Sequence, residues 1–328
     1  MDAIDIAVVG AGPCGIAAGA AAVKKGFTTI LFDKGCVGAS LVDYPYYMRF
    51  FSTSDRLEIA GIPWAIPEKN PSRQEALVYY RRVAEHFGLD VHQYEKVESI
   101  AGSEGSFRMK TRKMSGREME YEAKRIVMAT GGFHAPNMLE VPGEDLPKVL
   151  HYYREPYPFY DQDVLVVGGS NSAVEASLEL FRNGARVTMV HFLDKLDKGV
   201  KAWVLPDITN RLKQGEIKAY WKHRVSTIEP ESVVLRHEET GESRVLKNDW
   251  VVALTGWRPN PVLLRELGVD IQEDTGVPRH DPASMETNIP GVFIAGVLAA
   301  GNNANKIFIE NGRTHGEQIA QALVKRGG

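Results

Sequence analysis

The sequence has little of what several protein classes require, beginning with cysteine, which occurs only at Cys14 and Cys36 among 328 residues. Two cysteines are too few for the disulfide framework of a secreted protein, and they predict a reducing compartment such as the cytoplasm. The net charge is only −3, which offers no reason to expect nucleic acid as a partner. No apolar run reaches the roughly 18 residues of a membrane-spanning helix, so no association with a membrane is expected. No residues are assigned to a metal site.

What the sequence does contain is an internal repeat. A segment at its start and a segment halfway along both have an apolar run, a glycine turn, an alanine-rich stretch and a second apolar run. Gly10 and Gly168 begin the two glycine turns and are 158 residues apart (168 − 10), as are Asp33 and His191 at the end of each unit (191 − 33). An equal spacing across the whole unit predicts two copies of one βαβ unit.

The segments around the two copies complete two domains. A helix with a capping box at Ser72 and Glu75 follows the first copy, and glycine-broken alternating segments then predict an antiparallel meander. A second meander is expected over residues 226–244. The predicted fold is α/β, with two Rossmann-like three-layer ββα nucleotide-binding domains, the second inserted in the first. The first domain is assigned to residues 1–150 and 262–328, and the second to residues 151–261.

The first glycine turn has the features of a dinucleotide site. Gly10 allows the tight turn, Gly12 lets a pyrophosphate approach the backbone, and Gly15 lets the helix pack close to the strand. The helix N-terminus offers N–H groups to the phosphates. Asp33 is placed to accept hydrogen bonds from both ribose hydroxyls and to repel a 2′-phosphate, which favours FAD or NAD over NADP. The other residues assigned to this turn are Pro13, Cys14 and Lys34.

The second glycine turn differs at the position that selects the nucleotide. Ala173 replaces the third glycine, which the helix packing tolerates. His191 takes the place of the acid, and Lys195 follows it, so a 2′-phosphate has room and positive charge. NADPH is therefore predicted, with a solvent-facing His191 and the use of NADH as the alternative. The residues assigned to this site are Gly168, Gly169, Ser170, Asn171, Ser172, Ala173, His191, Lys195 and Arg258.

The sequence resembles the low-molecular-weight thioredoxin-reductase-like flavoproteins. The resemblance rests on five motifs that occur in the same order, VVGAGPCG, RIVMATGG, VVGGSNSAVEA, ALTGWRPN and TNIPGVFIAGV. The resemblance covers the whole chain. It implies a fold of the glutathione/thioredoxin reductase type, FAD in the discontinuous domain, NADPH in the inserted one, hydride transfer to the flavin, and a homodimer. It also implies FAD contacts at Thr130, Gly131 and Gly296, and a last helix, preceded by Lys306 and Ile307, whose N-terminus faces the flavin.

Two departures narrow the resemblance. The CxxC of thioredoxin reductases is absent, and Val297 stands where many relatives have an acid that bonds the flavin ribityl chain. With these two departures, the sequence resembles the bacillithiol disulfide reductase family. The resemblance also rests on the segments DYPYYMRFFSTSDRLEIAGIP and VLAAGNNANKIFIENG. That resemblance implies an enzyme that uses NADPH to reduce a small-molecule disulfide of a low-molecular-weight thiol.

Without a dithiol, electrons pass from FAD to the disulfide either directly or through one cysteine. The resemblance points to Cys14, which lies in the first helical turn where the dipole favours a thiolate. The pyrophosphate bound at the same helix end opposes that charge, so a purely structural Cys14 is the alternative. Two other functions are kept open. One is a ferredoxin- or flavodoxin-NADP reductase, which passes electrons to a small protein, and the other is a non-catalytic NADPH-sensing flavoprotein.

Overall fold

The computed structural model describes residues 4–303 and 306–327, and these fall into two compact units. The first comprises the described residues up to 43, residues 47–135 and those from 257 onward, and the second comprises residues 44–46 and 136–256. Apart from residues 44–46, the chain therefore crosses into the second unit after residue 135, and not after residue 150 as predicted from the sequence. The reason is a two-residue strand at Val149–Leu150 that pairs with a strand of the second unit.

The described residues form strands and α-helices in both units. The strands are β1 (Ile4–Val9), β2 (Thr29–Phe32), β3 (Asp90–His92), β4 (Glu95–Ala101), β5 (Phe107–Lys113), β6 (Glu118–Met128), β7 (Val149–Leu150), β8 (Asp163–Val167), β9 (Arg186–His191), β10 (Lys218–Trp221), β11 (His223–Ile228), β12 (Ser232–His237), β13 (Ser243–Lys247), β14 (Trp250–Ala253) and β15 (Val292–Ile294). The helices are α1 (Pro13–Lys24), α2 (Ala39–Val42), α3 (Ser54–Leu57), α4 (Arg73–His86), α5 (Asn171–Arg182), α6 (Leu205–Gln214), α7 (Val262–Glu266), α8 (Ile309–Gly312) and α9 (His315–Lys325).

The first unit contains a parallel layer joined to an antiparallel meander. The parallel layer has the order β3-β2-β1-β6-β15. The strand β6 links the two parts, because residues 118–123 pair with β5 and residues 123–128 pair with β1. The predicted meander is therefore present as β4, β5 and the first half of β6. The predicted capping box of α4 is also confirmed, since Ser72 N donates to Glu75 Oε2 at 2.7 Å and Glu75 N to Ser72 Oγ at 3.2 Å.

The second unit repeats this arrangement. Its parallel sheet has the order β10-β9-β8-β14-β7, and β11, β12 and β13 form a separate antiparallel sheet. The helix α5 spans residues 171–182, which is α1 shifted by 158 residues at both ends (171 − 13 and 182 − 24). The repeat inferred from spacing is thus a repeat of structure, and the predicted fold class is confirmed.

Small residues let the first helix pack closely in its unit. In β1, Ile6, Ala7 and Val8 are at most 1% exposed, as expected for a parallel strand that is covered on both faces. The helix α1 packs against α9, and a Cβ on Gly316 would lie 2.5 Å from Ala18 Cα. The two helices therefore approach backbone to backbone, which any larger side chain at Gly316 would prevent. Within the described part of the chain, no helix is both long and apolar enough to cross a membrane.

Candidate functional site

The first glycine turn joins β1 to α1, and two of its three glycines are required by the protein itself. Gly10 has a φ of +114°, and a Cβ there would lie 2.3 Å from the carbonyl oxygen of Ala129. A Cβ on Gly15 would lie 1.9 Å from the carbonyl oxygen of Gly10. A Cβ on Gly12, in contrast, would meet no protein atom within 4 Å. The space at Gly12, beside the first turn of a twelve-residue helix, fits a pyrophosphate.

The predicted acid is held at the end of the neighbouring strand. The two carboxylate oxygens of Asp33 accept hydrogen bonds from Ala11 N and Gly35 N, both at 2.8 Å. These bonds fix the carboxylate beside the glycine turn, and each oxygen retains a lone pair for a ribose hydroxyl. Lys34 and Thr130 are exposed, and Gly131 has a φ of +67° with open space where a Cβ would stand. The carboxyl ends of β2, β1 and β6 therefore bring these predicted FAD residues to one edge of the sheet.

Cys14 is the second residue of α1, and its half-buried thiol lies beside two glycines. Ideal Cβ atoms on Gly296 and Gly312 would each lie 3.0 Å from Cys14 Sγ. The structure thus brings together two residues, Cys14 and Gly296, that were assigned to the FAD site independently. Burial raises the pKa of the Cys14 thiol to about 12, so the resting thiol is protonated at neutral pH despite its place at a helix N-terminus.

This protonation state predicts slow alkylation of Cys14. At neutral pH we expect iodoacetamide to modify it roughly a thousandfold more slowly than a free cysteine, because only the thiolate reacts. Since the folded pKa is raised to about 12, the rate should climb about tenfold per pH unit up to that value. Peptide mass spectrometry of the native protein measures the rate, with urea-unfolded protein as the control. Rapid modification of native Cys14 at pH 7 would contradict the packing.

The segment after β15 contains a histidine that the sequence analysis missed. Gly296 N donates to His315 Nδ1 at 3.1 Å. Burial lowers the pKa of His315 to about 4, so its imidazole is neutral and able to accept this bond. A histidine at a helix start carries no sequence signal of such a role, because its partner lies 19 residues away.

The predicted helix after Lys306 and Ile307 is a single turn. The sequence indicated one C-terminal helix from about Ile309, but the structure has the four-residue α8 and, after a break, the longer α9. A single turn sums few peptide dipoles, so the electrostatic effect expected from this helix is small. Ile307 lies beside Gly312, which places it near Cys14, whereas Lys306 is exposed.

The second glycine turn joins β8 to α5 and is equally constrained. Gly168 has a φ of +138°, and a Cβ there would lie 2.6 Å from the carbonyl oxygen of Leu254 and 3.1 Å from Ala173 Cβ. Ala173 is fully buried, which explains why this position tolerates a methyl group and nothing larger. Ser170 precedes α5, and its hydroxyl makes no capping bond with the helix. The N–H groups of the first turn of α5 therefore remain available to phosphates.

His191 lies in a different place from the one expected. It is only 4% exposed, and a Cβ on Gly169 would lie 2.5 Å from its ring. Its Nε2 is 3.4 Å from Asp197 Oδ1, and burial lowers its pKa. The imidazole is therefore a neutral group packed under the glycine turn. The prediction that His191 faces solvent is therefore wrong, because the ring is buried. Position 191 still carries no carboxylate to repel a 2′-phosphate, and a neutral imidazole supplies no positive charge to one.

Of the remaining residues predicted for the second site, one makes hydrogen bonds within the protein and the others are exposed. Asn171 fixes the loop after β9, because its Nδ2 donates to Gly199 O and its Oδ1 accepts from Lys201 N, both at 2.9 Å. Ser172 and Lys195 are exposed in the second unit. Arg258 is also exposed but belongs to the first unit. Among the residues described, no group of three or more His, Cys, Asp or Glu side chains is arranged to hold a metal ion.

Comparison with known proteins identifies the family of the chain. The family described as Pyridine nucleotide-disulphide oxidoreductase matches residues 7–296. The chain belongs to this family. It is therefore an oxidoreductase of the pyridine nucleotide-disulphide type that uses FAD and a pyridine nucleotide.

Within the pyridine nucleotide-disulphide oxidoreductases, three similar proteins match the chain along nearly its whole length. Bacilliredoxin reductase Bdr of Bacillus subtilis is 41% identical, with 97% of each chain covered. The structure of bacillithiol disulfide reductase Bdr (YpdA) from Bacillus cereus matches with a TM-score of 0.96 at 40% identity, covering 99% of this chain and 100% of that one. The Staphylococcus aureus structure of the same name matches with a TM-score of 0.93 at 38% identity, covering 100% of both chains.

Proposed function

We propose that this family member is an FAD-dependent NADPH oxidoreductase that reduces the disulfide of a low-molecular-weight thiol of the bacillithiol kind. The observation that carries the cofactor assignment is the contrast between the two glycine turns. A fixed carboxylate, Asp33, accompanies the first, and no carboxylate occupies the equivalent position 191 of the second. The acceptor rests on the names of the full-length relatives and on the absence of a CxxC from the sequence.

The residues of the first unit bind and orient one nucleotide. The turn at Gly12 receives the pyrophosphate, Asp33 holds the adenosine ribose, and the neutral His315 fixes Gly296 beside Cys14. Bound FAD would supply the hydride-accepting chemistry that the side chains lack. The second glycine turn and the N-terminus of α5 bind the pyrophosphate of NADPH. Both cysteines are free in the structure, in keeping with a reducing compartment such as the cytoplasm.

Cys14 is the thiol that we propose reacts with the acceptor. The Cys14 thiol loses its proton, and the resulting thiolate attacks one sulfur of the disulfide. The bond between the two substrate sulfurs breaks, and the leaving sulfur takes up a proton and departs as a thiol. The resulting mixed disulfide would be broken by two electrons from bound reduced FAD. Two protons then yield the second substrate thiol and restore the Cys14 thiol. In the resting protein this thiol is protonated, which protects it from oxidants that react with thiolates.

An anaerobic spectroscopic experiment tests this function. NADPH should bleach the flavin absorbance of the purified protein, and bacillithiol disulfide should then restore it. Replacing Cys14 with alanine should leave bleaching intact and slow the restoration by roughly a hundredfold or more, because the nucleophile is gone. The matched control is Cys36→Ala, which removes the other thiol and should leave both steps unchanged.

Each other result has a definite meaning for the proposal. A protein that binds NADPH but is never bleached is a nucleotide-sensing flavoprotein. Restoration by ferredoxin or flavodoxin and not by the disulfide makes it an electron-carrier reductase. If the Cys14→Ala variant restores its absorbance at the rate of the unchanged protein, electrons reach the disulfide without this thiol.

A further inference from the structure

The carboxyl end of β9 is where a βαβ nucleotide unit places the adenosine ribose. The last residue of β9, His191, cannot reach that position because its ring is buried under Gly169. The next residue, Phe192, is 45% exposed. The side chain that β9 presents at this edge is therefore an aromatic ring, which carries no charge for a 2′-phosphate.

A cation nevertheless lies on this ring, and it comes from another strand. The guanidinium carbon of Arg224 is 4.4 Å from the centroid of the Phe192 ring. Arg224 belongs to β11, which begins two residues after β10, the parallel neighbour of β9. A backbone bond of 2.9 Å from Lys222 N to Leu193 O fixes the connection between β10 and β11 beside the end of β9. The position of Arg224 is thus set by the sheet.

The guanidinium is also oriented by an acid. Arg224 Nε donates to Glu238 Oε2 at 3.0 Å, while the side chain as a whole is 57% exposed. Arginine binds phosphate through a planar fork of N–H groups and stacks on aromatic rings, so one residue can serve both purposes. The neighbouring Lys222 is a weaker candidate, because its single Nζ is engaged by Glu239 Oε1 at 2.7 Å, whereas the guanidinium of Arg224 is held through Nε and has two further nitrogens.

We propose that Arg224 recognises the 2′-phosphate of NADPH and that Phe192 is the platform on which its guanidinium rests. This inference depends on the proposed function, since it presumes that the second site takes a 2′-phosphorylated nucleotide. It assigns nucleotide selectivity to the start of β11 and removes that role from His191.

Calorimetric titration of the full-length protein with adenosine 2′,5′-bisphosphate and with AMP tests the assignment, because the two ligands differ only by the 2′-phosphate. The unchanged protein should bind the bisphosphate more tightly. The variant Arg224→Gln should lose roughly ten- to a hundredfold of the affinity for the bisphosphate, as expected for a charged hydrogen-bonded phosphate contact. Its affinity for AMP should stay the same, which also shows that the fold is intact.

Two further variants separate the phosphate contact from general effects. Arg244→Gln removes the same charge from the same three-stranded sheet, at a residue that lies over Tyr220, and should keep the preference. Arg224→Lys retains the charge without the planar fork and should keep part of it. A preference that survives Arg224→Gln overturns this inference but leaves NADPH as the substrate. Equal binding of both ligands to the unchanged protein overturns the choice of NADPH itself.

Discussion

Replacing Gly12 with alanine should produce a folded protein that has lost its FAD. A Cβ at this position meets no protein atom within 4 Å, and the φ of −75° suits any residue. The free energy of unfolding of the apoprotein should therefore change by less than about 1 kcal/mol. The same methyl group stands where the pyrophosphate must approach the backbone, so FAD affinity should fall by roughly a hundredfold or more.

Flavin absorbance relative to protein absorbance measures this loss, and urea unfolding of the apoprotein measures stability. The matched control is Gly199→Ala, because a Cβ there also meets open space and Gly199 is outside the first turn. It should retain full FAD. Gly15→Ala gives the opposite contrast, since its Cβ would lie 1.9 Å from the carbonyl oxygen of Gly10 and the fold itself should suffer. A yellow, fully loaded Gly12→Ala protein would refute the pyrophosphate assignment.

The second large effect is expected from a substitution at Gly169, where an added side chain would conflict with another residue of the protein and not with the ligand. A Cβ at this position would lie 2.5 Å from the ring of the buried His191. Gly169→Ala should therefore cost about 1–3 kcal/mol of stability through overpacking, and it should weaken NADPH binding because the turn must move. The variant His191→Ala creates the missing space, so the double variant should recover much of the loss.

Urea unfolding of the unchanged protein, the two single variants and the double variant completes a double-mutant cycle. We expect a coupling free energy of about 1–3 kcal/mol between Gly169 and His191. NADPH titration of the same proteins measures whether the affinity falls in Gly169→Ala and recovers in the double variant. Additive effects of the two substitutions would mean that His191 does not restrict position 169. Gly199→Ala is again the matched control, since it adds a methyl group in the same unit without a steric conflict.

Much of the fold could be predicted from the sequence because its signals are local and repeated. Glycines at fixed offsets mark the two turns, and the spacing of 158 residues sets the bounds of α5 relative to α1. The residues proposed for the FAD site could be selected for the same reason, since Gly10, Gly12 and Asp33 lie at the ends of adjacent strands.

The features that were missed depend on neighbours distant in the sequence. The strand β7 is two residues long, too short to leave a pattern, and it moved the boundary between the units. The burial of His191 follows from Gly169, 22 residues earlier. Arg224 reaches the end of β9 from another strand. The sequence contains the basic run Lys222-His223-Arg224, but nothing in it indicates which of these side chains lies at the end of β9.

Because α9 packs closely on α1, the first unit cannot complete its fold until α9 has been synthesised. The second unit is almost continuous in the chain, over residues 136–256, so it can fold while the last part is still in the ribosome. The first unit lacks β15 and α9 until residues 292–325 have emerged. Because α9 touches the helix of the first glycine turn backbone to backbone, the proposed FAD site is complete only after residues 292–325 have been synthesised. The unit whose synthesis starts first is therefore completed after the second unit.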